Sequence, residues 1–286
     1  FVDVDTYKLT YVSLVEGHLI PYFGNALLSE IRPADVQAYF ATKTACSESR
    51  LKKMRSILNA IFESAIENDL CYKNPAKRST YRSTAQKHIK HVLSDEQMET
   101  VKAYAVDRMP EVVLLLETGL RRGELVGLMW SDIDMDEKTL RVRRSMVLRD
   151  KVVTANPPKW NSYRTLPLSD EAMALIRTLP HDSLYVFPNE NGAPHCPNSW
   201  SQKLKRLMRK LHAEHIEIPV VTAHELRHTY GTYLRRHGAD IYTIQKLLGH
   251  KDINVTAEIY VHNELDTLRS VLTSIHPTSE EADTAL

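Results

Sequence analysis

Residues 221–262 read VTAHELRHTYGTYLRRHGADIYTIQKLLGHKDINVTAEIYVH, and the way this stretch divides into helices decides the fold. Thr222 and Glu225 stand in the S/T-x-x-E pattern of a capping box. There the threonine hydroxyl takes the Glu225 amide and the carboxylate reaches back. A helix is therefore predicted to begin near Ala223. His224 and Arg227, three apart, project from one side of its first turn. Unsatisfied backbone N–H groups and the positive end of the helix dipole lie there, which suits a phosphate. Further on, Gly249 predicts a helix C-cap directly before His250. An imidazole and a guanidinium at such a terminus point to work on an oxyanion.

The same letters also spell H-E-x-x-H over residues 224–228, the pattern of a zinc-binding helix. Three observations weigh against metal. Glu225 already has a use in the cap. The extended form of the pattern needs a third histidine, and Leu234 stands at that position. Arg227 would set a cation beside the metal. No metal and no cofactor are expected.

The chain has 286 residues, 43% hydrophobic and 26% charged, enough for two ordinary domains. No apolar run approaches the roughly 20 residues needed to span a bilayer, so no membrane partner is expected, and no signal peptide is read. Phe1 rather than Met opens the chain, which reads as a fragment with an upstream part missing. Cys46, Cys71 and Cys196 are odd in number and widely spaced, without a C-x-x-C pair. A reducing cytoplasm is expected.

The net charge of +1 hides an uneven distribution. Residues 1–90 carry thirteen Lys/Arg against nine Asp/Glu, and residues 73–90 hold six basic side chains and no acidic one. Lys203, Lys205, Arg206, Arg209 and Lys210 make a second basic cluster. Basic patches on a neutral chain still bind nucleic acid, although a single cluster is more often only a solvated face.

The first ninety residues read as helical. Leu9, Val12, Val15 and Leu19 keep helical spacing, and Pro21 and Gly24 are predicted to break that helix. A second helix starts at Pro33 and contains Val36, Tyr39 and Phe40. The third has one apolar stripe, Leu51, Met54, Leu58, Ile61, Phe62 and Ala65, with Arg50, Lys52, Lys53 and Arg55 opposite. A helical bundle with a basic face follows. Asn74-Pro75 ends it, and a basic linker carrying Lys77, Arg78, Arg82 and Lys87 is predicted over residues 76–93. A second domain, 94–286, opens on the capping box of Ser94 and Gln97. Helices are predicted at 112–117 and 122–129, a small antiparallel sheet between 133 and 168, and helices again at 170–178, 199–212 and 265–274. The fold class is mainly α with a small antiparallel β-sheet.

Four elements in order now carry a resemblance: TGLRRGEL at 118–125, His224-x-x-Arg227-His228, Leu248-Gly249-His250, and Tyr260 in TAEIYVH. Together they resemble the tyrosine recombinases, and more narrowly the integrases of phages and conjugative transposons. The resemblance implies a helical, SAM-like core-binding domain over residues 1–75, ending in Asn74-Pro75-Ala76, and an α+β catalytic domain beyond the linker. It implies that Arg121 and Arg227 grip one phosphodiester, that His250 donates to it, and that Tyr260 is the nucleophile. Guanidinium is always charged and bidentate, so it suits that grip better than lysine. A phenol has a pKa near ~10 and needs its proton removed before it attacks; His224 is the expected acceptor. His228 and His262 are read as structural neighbours.

Lys159, in NPPKWNSYR at 156–164, is expected at the tip of a hairpin between two strands. The resemblance makes it the general acid for the departing 5′-oxygen. Trp160 departs from the threonine the family commonly has next, and Lys151 is a nearby competitor.

By resemblance, the chain is a site-specific DNA recombinase that integrates or excises a mobile element through a 3′-phosphotyrosyl link and a Holliday junction. Its expected partners are double-stranded DNA, three further copies in a homotetramer on two duplexes, and an accessory DNA-bending or excision factor. Lys52, Lys53, Lys77, Arg78, Arg82 and Lys87 are the expected DNA contacts. The rivals are a type IB topoisomerase, a DNA-binding protein with the same fold but no catalysis, and a zinc hydrolase.

Overall fold

The structure is a computed structural model and describes residues 7–86 and 90–249. The chain divides into two compact units, residues 1–89 and 90–286. Among the described residues no helix is long and apolar enough to cross a membrane.

The first unit opens with a helical segment in three consecutive pieces, Tyr7–Val12, Val15–Leu19 and Ile20–Phe23. Pro21 does not break it, contrary to the sequence expectation. It stands near the start of the last piece, and the segment stops at Gly24. Helices α1 (Pro33–Ala41) and α2 (Glu48–Glu67) complete the bundle. Their apolar stripes meet in a core of Val36, Tyr39, Phe40, Leu51, Met54, Leu58 and Phe62, all buried. Tyr39 donates its hydroxyl to the Met54 sulfur at 3.4 Å, and burial pushes that phenol up to about 12. Of the stretch read as a linker, residues 76–84 lie against this unit. Ala76 is buried, Gln37 pairs with both the N–H and the C=O of Thr80, and the Thr84 amide donates to Thr44 at 2.7 Å.

The second unit is built around α4 (Pro110–Thr118), in which residues 112–116 are buried on every side. Helix α3 (Asp95–Ala105) packs on it and is capped reciprocally by Ser94 and Gln97. Gly119 ends α4 in the left-handed region, φ 61°. A side chain there would meet Tyr230 at 2.4 Å and Leu248 at 2.7 Å, so glycine is required twice over. The turn leads straight into the short α5 (Arg122–Val126). That helix stops earlier than the predicted 129, because Met129 bridges to Tyr185 and the Trp130 amide donates to Leu184.

The β region holds two small antiparallel sheets rather than one. Strands β1 (Ile133–Asp134), β2 (Thr139–Val142) and β5 (Arg164–Pro167) form the first in the order β1-β2-β5. Strands β3 (Ser145–Arg149) and β4 (Val152–Asn156) form a separate hairpin. Its tip is Asp150-Lys151, both with positive φ, as a two-residue hairpin turn demands. Lys159 therefore does not sit at a hairpin tip. Since β4 pairs with β3 and β5 with β2, it lies on one tight turn, Lys159–Asn161, between the two sheets. Helices α6 (Asp170–Thr178), α7 (Pro197–Glu214), α8 (Ala223–Arg236) and α9 (Ile241–Leu248) follow. The predicted helix at 265–274 falls outside the described residues.

Candidate active site

Helix α8 begins where the capping box places it. The Thr222 amide donates to Glu225 Oε2 at 2.8 Å, and the Glu225 amide donates to the Thr222 hydroxyl at 3.3 Å. Glu225 Oε1 also accepts the His91 amide at 3.1 Å, which ties the entry of the unit to this helix. The buried face of α8 is unusually polar: Glu225, Arg227, His228 and Thr229 are each no more than 3% exposed. Buried polar groups at this density need partners, and the partners define the site.

Arg227 donates Nη1 to the Gly119 carbonyl at 2.7 Å and Nη2 to the Leu248 carbonyl. Arg121, the N-cap of α5, donates Nη2 to the next carbonyl, Gly249, at 2.7 Å. Arg164, on β5, donates Nε to the preceding one, Leu247, at 2.9 Å. Three guanidiniums from three different elements thus take three consecutive carbonyls at the C-terminal end of α9, the last that of its C-cap Gly249, where the negative end of the dipole lies. Gly249 closes that helix in the left-handed region, φ 65°, with Arg164 against its α-carbon. The residue that follows is His250; it and Tyr260 lie outside the described residues, as does Lys87.

Glu124 joins two of the arginines. Its Oε1 accepts Arg121 Nη1 at 2.9 Å, and its Oε2 accepts Arg164 Nη2 at 2.8 Å. Burial works to raise this carboxyl, but hydrogen bonds and charge from Arg164 and Arg121 hold it below the ordinary carboxylate range. The result is a fixed array of positive charge whose own neutralising anion is already buried behind it. Arg121 keeps part of its guanidinium at the surface, with a side chain 23% exposed.

His224 stands exposed on the first turn of α8 and packs edge-on against His228, with ring centroids 4.1 Å apart and Nε2 atoms at 2.8 Å. Desolvation on that side, together with the charges of Arg227, Lys90 and Arg121, pushes its imidazole down, with Glu225 opposing. His228 is pushed down to about 4, first by burial and then by His224, Lys90 and Arg227. The two rings are bonded to each other and Glu225 is consumed by the cap, so the H-E-x-x-H letters have another use. Among the described residues no group of three His, Cys, Asp or Glu side chains is placed to share a metal ion.

Lys159 is exposed. Three residues on, the Ser162 hydroxyl accepts Arg121 Nη1 at 3.2 Å, so the turn that carries Lys159 is tied to the arginine array. The structure thus brings Arg121, Arg227 and the Lys159 turn together and places His224 beside Arg227 on α8. Arg122, the neighbour of Arg121, donates to Ser201 at 2.7 Å. Arg164 and Glu124 are the residues that the sequence reading passed over. Arg164 shares the inward face of β5 with Leu166, and a charge on the buried side of a period-two strand is the signal that could have found it.

Comparison with known proteins agrees with this architecture. The phage integrase family matches residues 85–266, more than half of the chain. The chain belongs to the phage integrase family. A tyrosine recombinase XerC-like protein of Caldanaerobacter subterraneus subsp. tengcongensis is 28% identical, over 86% of this chain and 72% of that protein. The transposase from transposon Tn916 of Enterococcus faecalis is 26% identical, over 84% of this chain and 65% of its own length. Among solved structures, the Tn1549 transposon integrase in complex with a circular intermediate DNA shares the fold. Its TM-score is 0.82 at 23% identity, covering 96% of this chain and 94% of that one. A lambda integrase tetramer bound to a Holliday junction has a TM-score of 0.69 at 18% identity, covering 91% of this chain and 72% of that one. The chain is a tyrosine recombinase, a site-specific DNA recombinase.

Proposed function

We propose that this recombinase integrates and excises a mobile element, cutting duplex DNA through a 3′-phosphotyrosyl intermediate and rejoining it by way of a Holliday junction. The observation that carries the reading is the arginine array on the end of α9, which presents fixed guanidinium charge beside His224. Donors already in place cost no reorganisation when charge develops on a phosphorane-like transition state, and each is worth about 10²–10³ in rate. Arg121 and Arg227 hold the scissile phosphate in this account, and Tyr260 attacks it. His224 receives the phenolic proton, His250 donates to a phosphate oxygen, and Lys159 protonates the 5′-oxygen that departs. The phosphotyrosine conserves the bond energy, so religation needs no nucleotide.

The first unit and the catalytic unit act as two domains that clamp the duplex. Lys52, Lys53, Lys77, Arg78 and Arg82 are exposed on the first unit and supply sequence-independent attraction to the backbone, with Lys87 completing the set. On the second unit, Lys203, Lys205, Arg206, Arg209 and Lys210 are all exposed along α7. Four copies on two duplexes, with an accessory DNA-bending or excision factor, make the working assembly.

A nicked recombination half-site, incubated with the intact chain in EDTA, tests this directly. A covalent protein–DNA adduct on a denaturing gel is expected, and none from Tyr260→Phe. No adduct from the intact chain, or an adduct that survives Tyr260→Phe, contradicts the assignment.

A further inference from the structure

His228 is nearly inaccessible and was expected to be structural, yet its ring nitrogen ends on the ring nitrogen of His224. We infer that His228 is a positioning residue for the proton transfer. Its Nε2 accepts the Nε2–H of His224 and so leaves the basic Nδ1 of His224 to receive the proton of the attacking phenol. The inference rests on the proposed role of His224 as proton acceptor.

The heavy-atom positions alone allow either imidazole to donate. The chemistry selects the direction. Once His224 has gained a proton it carries N–H on both nitrogens, and it can then only donate to His228. If it also donates before the transfer, the hydrogen bond runs the same way throughout and the ring need not turn. In the step itself the phenolic O–H bond breaks and an N–H bond forms at His224 Nδ1. The phenolate electron pair attacks phosphorus, and the departing 5′-oxygen takes a proton from the general acid. The positive charge left on His224 makes its bond to His228 charge-assisted and therefore stronger than before.

His228 is suited to this task because it does not compete for the proton. Lys90 faces it from the segment before α3, and His224, Arg227 and Glu225 face it from its own helix; burial and the cations keep it neutral. Arg121, from α5, adds its charge at His224 alone. The packing holds the pair in register: the Leu93 amide donates to Thr229 Oγ1 at 3.2 Å, and that hydroxyl donates to the Glu225 carbonyl at 2.9 Å. Histidines at i and i+4 on one helix lie one above the other, which fixes the ring-to-ring approach.

The test compares three substitutions in the full chain. Gln places an amide oxygen where Nε2 stands, whereas Asn falls short of it and Leu offers no acceptor. Two measurements are made on each: nitrogen-15 chemical shifts of His224, assigned by loss of its signals in His224→Gln, and the single-turnover rate of adduct formation. In the parent chain His224 is expected in the Nε2–H tautomer. His228→Gln is expected to retain that tautomer and stay within about threefold of the parent rate. His228→Asn and His228→Leu are expected to mix tautomers and slow adduct formation about tenfold or more, a fraction of what a well-placed base supplies. An Nδ1–H tautomer in the parent, or equal rates in all three variants, overturns the inference. If the parent forms no adduct at its own site, the proposed function fails instead, and the tautomer shifts still judge the His224–His228 bond by themselves.

Discussion

The two units use positive charge in opposite ways. On α2, Arg50, Lys52 and Lys53 stand exposed on the face away from an apolar core. In the catalytic unit, Arg227 is 2% exposed and the Arg164 side chain 8%, and every guanidinium of the array is committed to backbone carbonyls or to Glu124. Exposed cations attract a polyanion at long range, bend to fit it and are screened by salt. Buried, pre-bonded cations cannot move, so they add little reach but hold a fixed geometry. Folding of the second unit therefore builds the charge array, while the first unit could lose a lysine without noticing.

The largest expected effect is that of Arg227→Ala. It strands the carbonyls of Gly119 and Leu248 and removes one of the proposed phosphate donors. Stability should fall by about 3 kcal/mol, because two buried carbonyls lose their donor, and cleavage by about 10³-fold. Urea unfolding and single-turnover kinetics measure the two; an unchanged unfolding midpoint would erase the contrast between the units. Next is Glu124→Gln, expected to cost about 1–3 kcal/mol by weakening the tie between Arg121 and Arg164.

Acid separates the contributors further. The folded Glu124 carboxyl titrates below its ordinary value, so its stabilisation is present above that value, near ~4.3, and is lost as pH falls through the folded one. His228 acts over a higher window. As pH drops from roughly 6.5 the unfolded chain takes up a proton that the folded ring refuses until about 4. Stability should therefore decline across that interval, by up to about 1.4 kcal/mol per pH unit for one proton. His224 is shifted the same way and adds to the decline, with Lys90, Arg227, Arg121 and Glu225 as the charges facing the pair. Denaturation midpoints of the parent and His228→Gln, compared from pH 7 to 4, should differ in slope over that range and converge at neutral pH. The smallest effect is that of Lys53→Ala: a few-fold loss of DNA affinity, a salt slope shallower by roughly 0.9, and no change in unfolding.

What could be read from the sequence was local. The capping boxes at Thr222/Glu225 and Ser94/Gln97 span three residues each, so their letters suffice. The stripe on α2 follows from its periodicity, and the end of α9 from Gly249. The resemblance alone grouped Arg121 with Arg227; the bonds of the arginine array to the end of α9 were not legible, because they are made across the chain: Arg121 reaches Gly249 over 128 positions, and Arg164 reaches Leu247 over 83. Strand order defeated the reading of Lys159 in the same way. Alternation finds strands but not which strands pair, and the hairpin turned out to close at Asp150-Lys151. His228 lay in plain view at i+4 from His224, but only the 2.8 Å approach shows that the rings are bonded.

Pre-bonded arginines are proposed to set the rate while exposed lysines set the affinity. Arg121→Lys tests it most directly, because lysine keeps the charge and loses the fork that spans Glu124, Ser162 and Gly249. Single-turnover cleavage is measured at saturating DNA across a range of salt, beside Lys53→Ala. Arg121→Lys is expected to lose about a hundredfold in maximal rate with the parent's salt slope, while Lys53→Ala recovers the full rate once DNA saturates. A maximal rate near the parent's in Arg121→Lys, with the loss appearing only in affinity, would contradict it.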